Sequence, residues 1–166
     1  MNKPKIQTKN SGFTIIEVVL VLAIAGLIFL MVFLALPALQ RSQRDTQRKE
    51  DLSRINTQLG NYTSSSRGAV PTAANLSTAF IAKYITPQQT EYVDPSGPNY
   101  TITFNNSNLT GTQVQSLAFG TVYYATTTKC DDTSPGDVTS TGANARNYTL
   151  RTKLENQTAL YCLDNR

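Results

Sequence analysis

The feature that most constrains this chain is an uninterrupted apolar run close to its beginning. From Val18 to Leu36 no residue carries a charge. At about 1.5 Å per helical residue those nineteen residues reach roughly 28 Å, close to the hydrocarbon thickness of a bilayer. Val, Leu, Ile, Ala and Phe occupy every face, so an amphipathic surface helix is excluded. The length exceeds that of an ordinary buried helix. A secretory signal has a shorter apolar core followed by a small-residue cleavage site. Here the run ends on Leu36-Pro37-Ala38-Leu39-Gln40 without such a site, and the reading is a retained transmembrane helix.

Pro37 falls where that helix should continue. Its ring removes a backbone hydrogen bond and crowds the preceding turn, so a kink is expected near Phe33–Pro37. Beyond it, residues 40–60 are rich in Gln, Arg, Lys, Glu and Leu, and Gly60-Asn61 is the expected stop. Leu52, Ile55, Leu59 and Tyr62 share one helical face that can pack on a sheet. Residues 40–49 have almost no apolar stripe, which predicts a helix that is exposed or set against polar partners.

The rest reads as a small head. A short helix is expected over Asn75–Ile85, with Leu76, Ala79, Phe80 and Tyr84 inward. Four strands are expected at Tyr100–Phe104, Leu117–Thr126, Tyr148–Leu154 and Thr158–Leu163. Residues 61–72, 87–98 and 131–147 read as loops. The fold class is α+β: a long N-terminal helix packed on a small antiparallel sheet.

Charge and composition remove several function classes. The net charge of +4 suggests a polyanion partner until the charges are located. Lys3, Lys5 and Lys9 precede the apolar run; without them 12 basic groups face 11 acidic ones. From residue 55 onward there are seven of each sign. The remaining cluster, Arg41, Arg44, Arg48, Lys49 and Arg54, is interleaved with Asp45, Glu50 and Asp51 and reads as a solvated helix surface. Contact with nucleic-acid phosphates is the alternative, which interleaved carboxylates blunt. The chain has no histidine, which removes imidazole catalysis, imidazole metal ligation and a histidine pH switch. No nucleophile-base pair, phosphate loop or carboxylate dyad is present, so no enzyme activity and no cofactor are expected. Asp131, Asp132 and Asp137 flank Pro135-Gly136, but their spacing fits no EF-hand; the reading is an Asp-rich turn with no metal.

The stretch that carries function is Ser11-Gly12-Phe13-Thr14-Ile15-Ile16-Glu17. A lone carboxylate in an apolar segment is costly unless it finds a cation or a proton. This run resembles the N-terminus of type IV pilins and pseudopilins: a short basic leader ending in Gly12, Phe13 at the cut, and an acidic residue fifth after it. Thr14, Ile16 and Gly26 also fall where the family often has Thr, a branched apolar residue and Gly. The likeness covers about residues 9–40, and beyond them it is one of architecture. Many members carry the kinking proline three residues earlier, where this chain has Leu34.

The resemblance implies a domain plan: leader 1–12, transmembrane and assembly helix 13–37, a periplasmic stalk part of the helix over 38–60, and an α+β head over 61–166. It implies cleavage between Gly12 and Phe13 by a prepilin peptidase, N-methylation of Phe13, and pairing of the new amine with Glu17 of a neighbouring subunit. An inner-membrane assembly platform and further copies of the chain are the implied partners. The positive-inside count is indecisive, with basic residues on both sides of the helix; the resemblance places the leader in the cytoplasm and the head outside. Cys130 and Cys162 would close a loop of about 33 residues, worth roughly 3–4 kcal/mol of chain entropy. They resemble the disulfide-bounded C-terminal region of pilins, two buried thiols being the other reading. The function implied is that of a type IV pilus subunit serving adhesion, twitching motility or DNA uptake. The alternatives are a pseudopilin of a type II secretion system and a DNA-binding minor pilin.

Overall fold

The computed structural model describes residues 12–109 and 111–165. Apart from Gly12, the expected leader lies outside them. The chain divides into two compact units, Met1–Gln40 and Arg41–Arg166. One helix, α1 (Ile15–Ser65), contributes to both and contains Pro37. It also continues past the expected stop at Gly60. Gly60 is an acceptor in the last turns, its carbonyl taking the Thr63 and Ser64 hydroxyls.

In the first unit the large apolar side chains of α1 are exposed, from Ile15 to Leu39. Away from its first turn and from Pro37, such a helix satisfies its backbone polar groups internally, which is what a hydrocarbon environment demands. The helix is long and apolar enough to cross a membrane.

The second unit holds the core. Leu52, Ile55 and Leu59 of α1 are buried as their spacing predicts, with Tyr62 partly buried behind them. Against them lies α2 (Leu76–Ile85), wound more widely than an α-helix, with the Thr86 amide bonded to the Ile81 carbonyl five residues back. That winding suits the spacing of its buried residues Leu76, Phe80 and Ile85. Tyr84 packs partly buried at the core's edge, its ring stacked on Phe80 at 5.9 Å, while Ala79 is half-buried. A 3-10 segment, Thr86–Glu91, follows where the sequence predicts a loop.

The sheet comprises β1 (Thr101–Phe104), β2 (Thr121–Thr126), β5 (Tyr148–Thr152) and β6 (Tyr161–Asp164) in the order β1-β2-β5-β6. It is mixed and not purely antiparallel: β1 and β2 run parallel, Thr101 opposite Thr121. Parallel neighbours need a crossover of about a dozen residues or more. Residues 105–120 supply it and include α3 (Gly111–Ser116), in a region where the sequence predicts no helix and an earlier start for β2. β2 and β5 are antiparallel, as are β5 and β6. The expected 131–147 loop contains β4 (Val138–Thr139), which pairs with β3 (Lys129–Cys130) as a separate hairpin.

Alternation along β5 divides the two sheet faces. Tyr148 and Leu150 enter the core, with Tyr124 and Val122 of β2. Arg151 is also fully buried; its Nη2 donates to the Asn105 and Ser107 carbonyls and so pins the crossover to β5. Burial lowers the pKa of this guanidinium. The core tyrosines keep their hydroxyls bonded: Tyr148 donates to Asn56 Oδ1 at 2.8 Å and Tyr124 to the Pro71 carbonyl at 2.8 Å. Each places a large apolar body in the core and ties it to α1 or the segment after it.

Ile55, with no exposed surface, sits centrally in this packing. Ile55→Ala should destabilise the head by about 2–5 kcal/mol. Denaturant unfolding of detergent-solubilised protein checks this; an unchanged midpoint would mean that α1 does not carry the core.

Candidate functional site

Two sets of residues carry the chemistry, one in each unit. In the first, Gly12 and Phe13 lie ahead of α1, and Phe13 is 85% exposed. A Cβ built on Gly12 would meet nothing within 4 Å. The chain's own packing therefore does not require glycine there. Glu17 stands in the first turn of α1, its amide bonded to the Thr14 carbonyl at 3.1 Å. The helix N-terminus favours a negative charge at that position. Glu17 shares a shallow apolar groove with Phe13, Val18, Val21 and Leu22. Among the described residues no cation pairs with it.

The second set replaces the expected solvated basic surface. Arg48 is fully buried, and all five of its N–H donors are used. Nε and Nη2 form a fork on Asp94, at 2.8 and 3.1 Å. Nη2 also reaches Ser96 Oγ at 2.8 Å. Nη1 bonds Asp45 Oδ1 at 3.1 Å and Glu155 Oε1 at 2.9 Å. The ring of Phe119 caps the guanidinium, 4.4 Å from its centroid. Arg44 adds a second fork on Glu155, at 2.7 and 2.6 Å. Asp45 in turn accepts the Glu155 and Asn156 amides at 2.8 and 3.0 Å. This network joins α1, the turn at 94–96 and the loop after β5.

The electrostatics follow from that geometry. Burial alone would lower the Arg48 pKa, but its hydrogen bonds to Asp94 and Glu155 hold it above the ordinary arginine value. The hydrogen bond from Arg44 leads in pulling Glu155 down to about 2. Burial pushes Asp94 up, and the Arg48 fork outweighs it, leaving Asp94 below the usual carboxylate range. Asp51 goes the other way, raised by burial although Tyr100 donates to it at 3.2 Å.

The remaining predicted residues are distributed as follows. Arg41 is exposed. Arg54 is exposed and reaches Asp51 at 3.8 Å; Lys49 lies over the Tyr161 ring. Cys130 of β3 and Cys162 of β6 are disulfide-bonded at a sequence separation of 32. The Cys130 amide also donates to Asp164, so the β3–β4 hairpin is fastened to the sheet edge twice. Asp131 is occupied as an acceptor for the Thr133 amide and hydroxyl, which lowers its pKa. Asp94 and Glu155, the partners of Arg48, have no signal in the sequence beyond the charged, stripe-free stretch that contains Arg44 and Arg48.

The carboxylate network predicts acid sensitivity. Glu155 titrates lower in the folded head than in the unfolded chain. Its contribution is therefore complete above the ordinary carboxylate range and is lost as pH falls from about 4.5 toward about 2. The thermal midpoint should drop through that window, and Glu155→Gln should flatten the drop while lowering the neutral-pH midpoint. An unaltered acid limb in Glu155→Gln would show that the network is not its source.

Comparison with protein families matches the prokaryotic N-terminal methylation motif over residues 7–33. No curated protein and no solved structure matches the chain significantly. The motif implies cleavage by a prepilin peptidase and assembly into filaments, and with the apolar helix it fits a membrane-anchored precursor. Motif, apolar helix and α+β head together give this chain the N-terminus and the layout of the type IV pilin and pseudopilin family, whose members are structural subunits.

Proposed function

We propose that the chain is a structural subunit of a type IV pilus, held in the membrane as a precursor, cut between Gly12 and Phe13 and polymerised through α1. The observation that carries this reading is the apolar, unburied stretch of α1, headed by a carboxylate unpaired among the described residues, inside the matched motif. Cleavage creates an amine at Phe13, the residue methylated in this reading. In a packed array of apolar helices that amine and Glu17 of a neighbour are each other's remedy. Apolar helices slide past one another, whereas a buried carboxylate is satisfied at one offset only, so the pair sets register. Pro37 is where the assembled helix would bend.

The Cys130–Cys162 bond supports a pilus subunit over a secretion pseudopilin. The arrangement of arginines weighs against a DNA-binding role for the α1 cluster. Arg48 is buried and Arg44 is forked on Glu155, which leaves few cations of that cluster for phosphates.

Intact mass and N-terminal sequencing of protein from its native membrane test the reading. A chain starting at Phe13 with one added methyl is expected, and a Met1 start would overturn it. Gly12→Val should leave only the longer precursor. Glu17→Ala should be cut normally yet lower filament yield by about tenfold or more, the effect of losing one register-setting pair; wild-type yield would refute the role of Glu17.

A further inference from the structure

Two charged grooves lie on the head. The first, of about 510 Å³, lies between the end of α1 and the loops beside β2 and β5, and Arg67 and Arg146 line it. Both arginines are exposed, and neither has an ion-pair partner among the described residues. Their placement is built into the backbone. Arg67 and Thr127, which also lines the groove, hold φ values of 55° and 56°. Left-handed backbone at non-glycine residues is strained and concentrates at functional sites. Gly68 has φ 84°, and a Cβ there would stand 3.3 Å from Arg146 Nε. Glycine at 68 lets the Arg146 guanidinium lie against the chain.

The second groove, of about 460 Å³, runs beside α1 where Glu50 and Glu91 are exposed. Arg54 also lines it, but Asp51 faces Arg54 at 3.8 Å and offsets its charge. Glu50 and Glu91 have no ion-pair partner among the described residues. Between Glu50 and Ser65, where α1 ends, the helix rises about 22 Å. The acidic and cationic grooves therefore lie about that far apart along the head's part of α1. They oppose in sign on a head that carries seven charges of each sign from residue 55 onward.

We infer that the Arg67–Arg146 groove of one copy receives the Glu50–Glu91 rim of another. This inference rests on the filament reading above. Two different, complementary patches on one molecule make a head-to-tail contact, which propagates as an open filament wherever its rotation does not close a ring. The occupant is a second copy of the chain because the chain itself carries the complementary surface. The contact adds direction and partner choice to a polymer whose apolar helices supply the non-directional attraction.

Charge exchange in the full chain, expressed in its own host, tests the inference. Reversing the cationic groove (Arg67→Glu with Arg146→Glu) should lower filament yield by about tenfold or more, and so should reversing the rim (Glu50→Arg with Glu91→Arg), since like charges are then juxtaposed. Combining the four substitutions should restore yield to within about twofold of wild type. Cross-linking gives a second measurement that does not depend on yield. Arg146→Cys combined with Glu91→Cys should form disulfide-linked ladders in filaments, and neither substitution alone should. Wild-type yield from the reversals, failure of the combination to recover, or absence of ladders would each overturn the inference. Loss with the cationic reversal alone would also overturn it and would assign the groove to a different anion. If the wild-type chain is not cut at Phe13 and forms no filament, the filament reading itself fails, an outcome separate from these.

Discussion

The head depends on the burial of one guanidinium. Arg48 comes from a stretch of α1 with no apolar stripe, so hydrophobic burial cannot fasten that stretch to the rest. Its five donors meet carboxylates and a hydroxyl from α1, the 94–96 turn and the loop after β5. These segments are far apart in the chain. Because an unpaired buried charge is so unfavourable, they must arrive together or not at all. A hydrophobic cluster of equal volume could be as stabilising, but it would tolerate shifts of a residue or a rotamer. A fork on Asp94 with every N–H spoken for does not. Asp45 extends the constraint to the backbone of Glu155 and Asn156, and Phe119 closes the remaining face of the cation.

The two units solve opposite problems with one helix. Up to residue 40, α1 exposes apolar side chains and satisfies its backbone internally, so its stability outside water rests on lipid or on other helices. From residue 41 onward the same helix joins a mixed sheet, and its inward face becomes Arg48, Leu52, Ile55 and Leu59. A subunit that must leave a bilayer and enter a filament needs a stretch of this first kind. A head that survives the passage needs the second, here reinforced by the disulfide holding the β3–β4 hairpin to the sheet edge.

Arginine shows how little residue type alone decides. Arg48 is a buried hub and Arg151 a buried pin for the crossover. Arg44 is a partner shared with that hub, while Arg67 and Arg146 face an open groove. By sequence, Arg44 and Arg48 belong to a basic cluster with Arg41, Lys49 and Arg54, and the reading of that cluster as a solvated face fails at Arg48. The charges nearby in sequence were visible; the distant Asp94 and Glu155 were not.

Local pattern was enough for the long apolar helix, the motif at its start, the apolar face Leu52-Ile55-Leu59 and most of the strands. Each is written in neighbouring residues: an unbroken apolar run, a short spacing, a period of helix or strand. Folding in three dimensions settled the parallel pairing of β1 with β2, the continuation of α1 past Gly60, the wide winding of α2 and the destination of each arginine. Those depend on contacts between segments that lie tens of residues apart. There the free energy is set by which donor meets which acceptor in a space that water has left, and no local pattern encodes it.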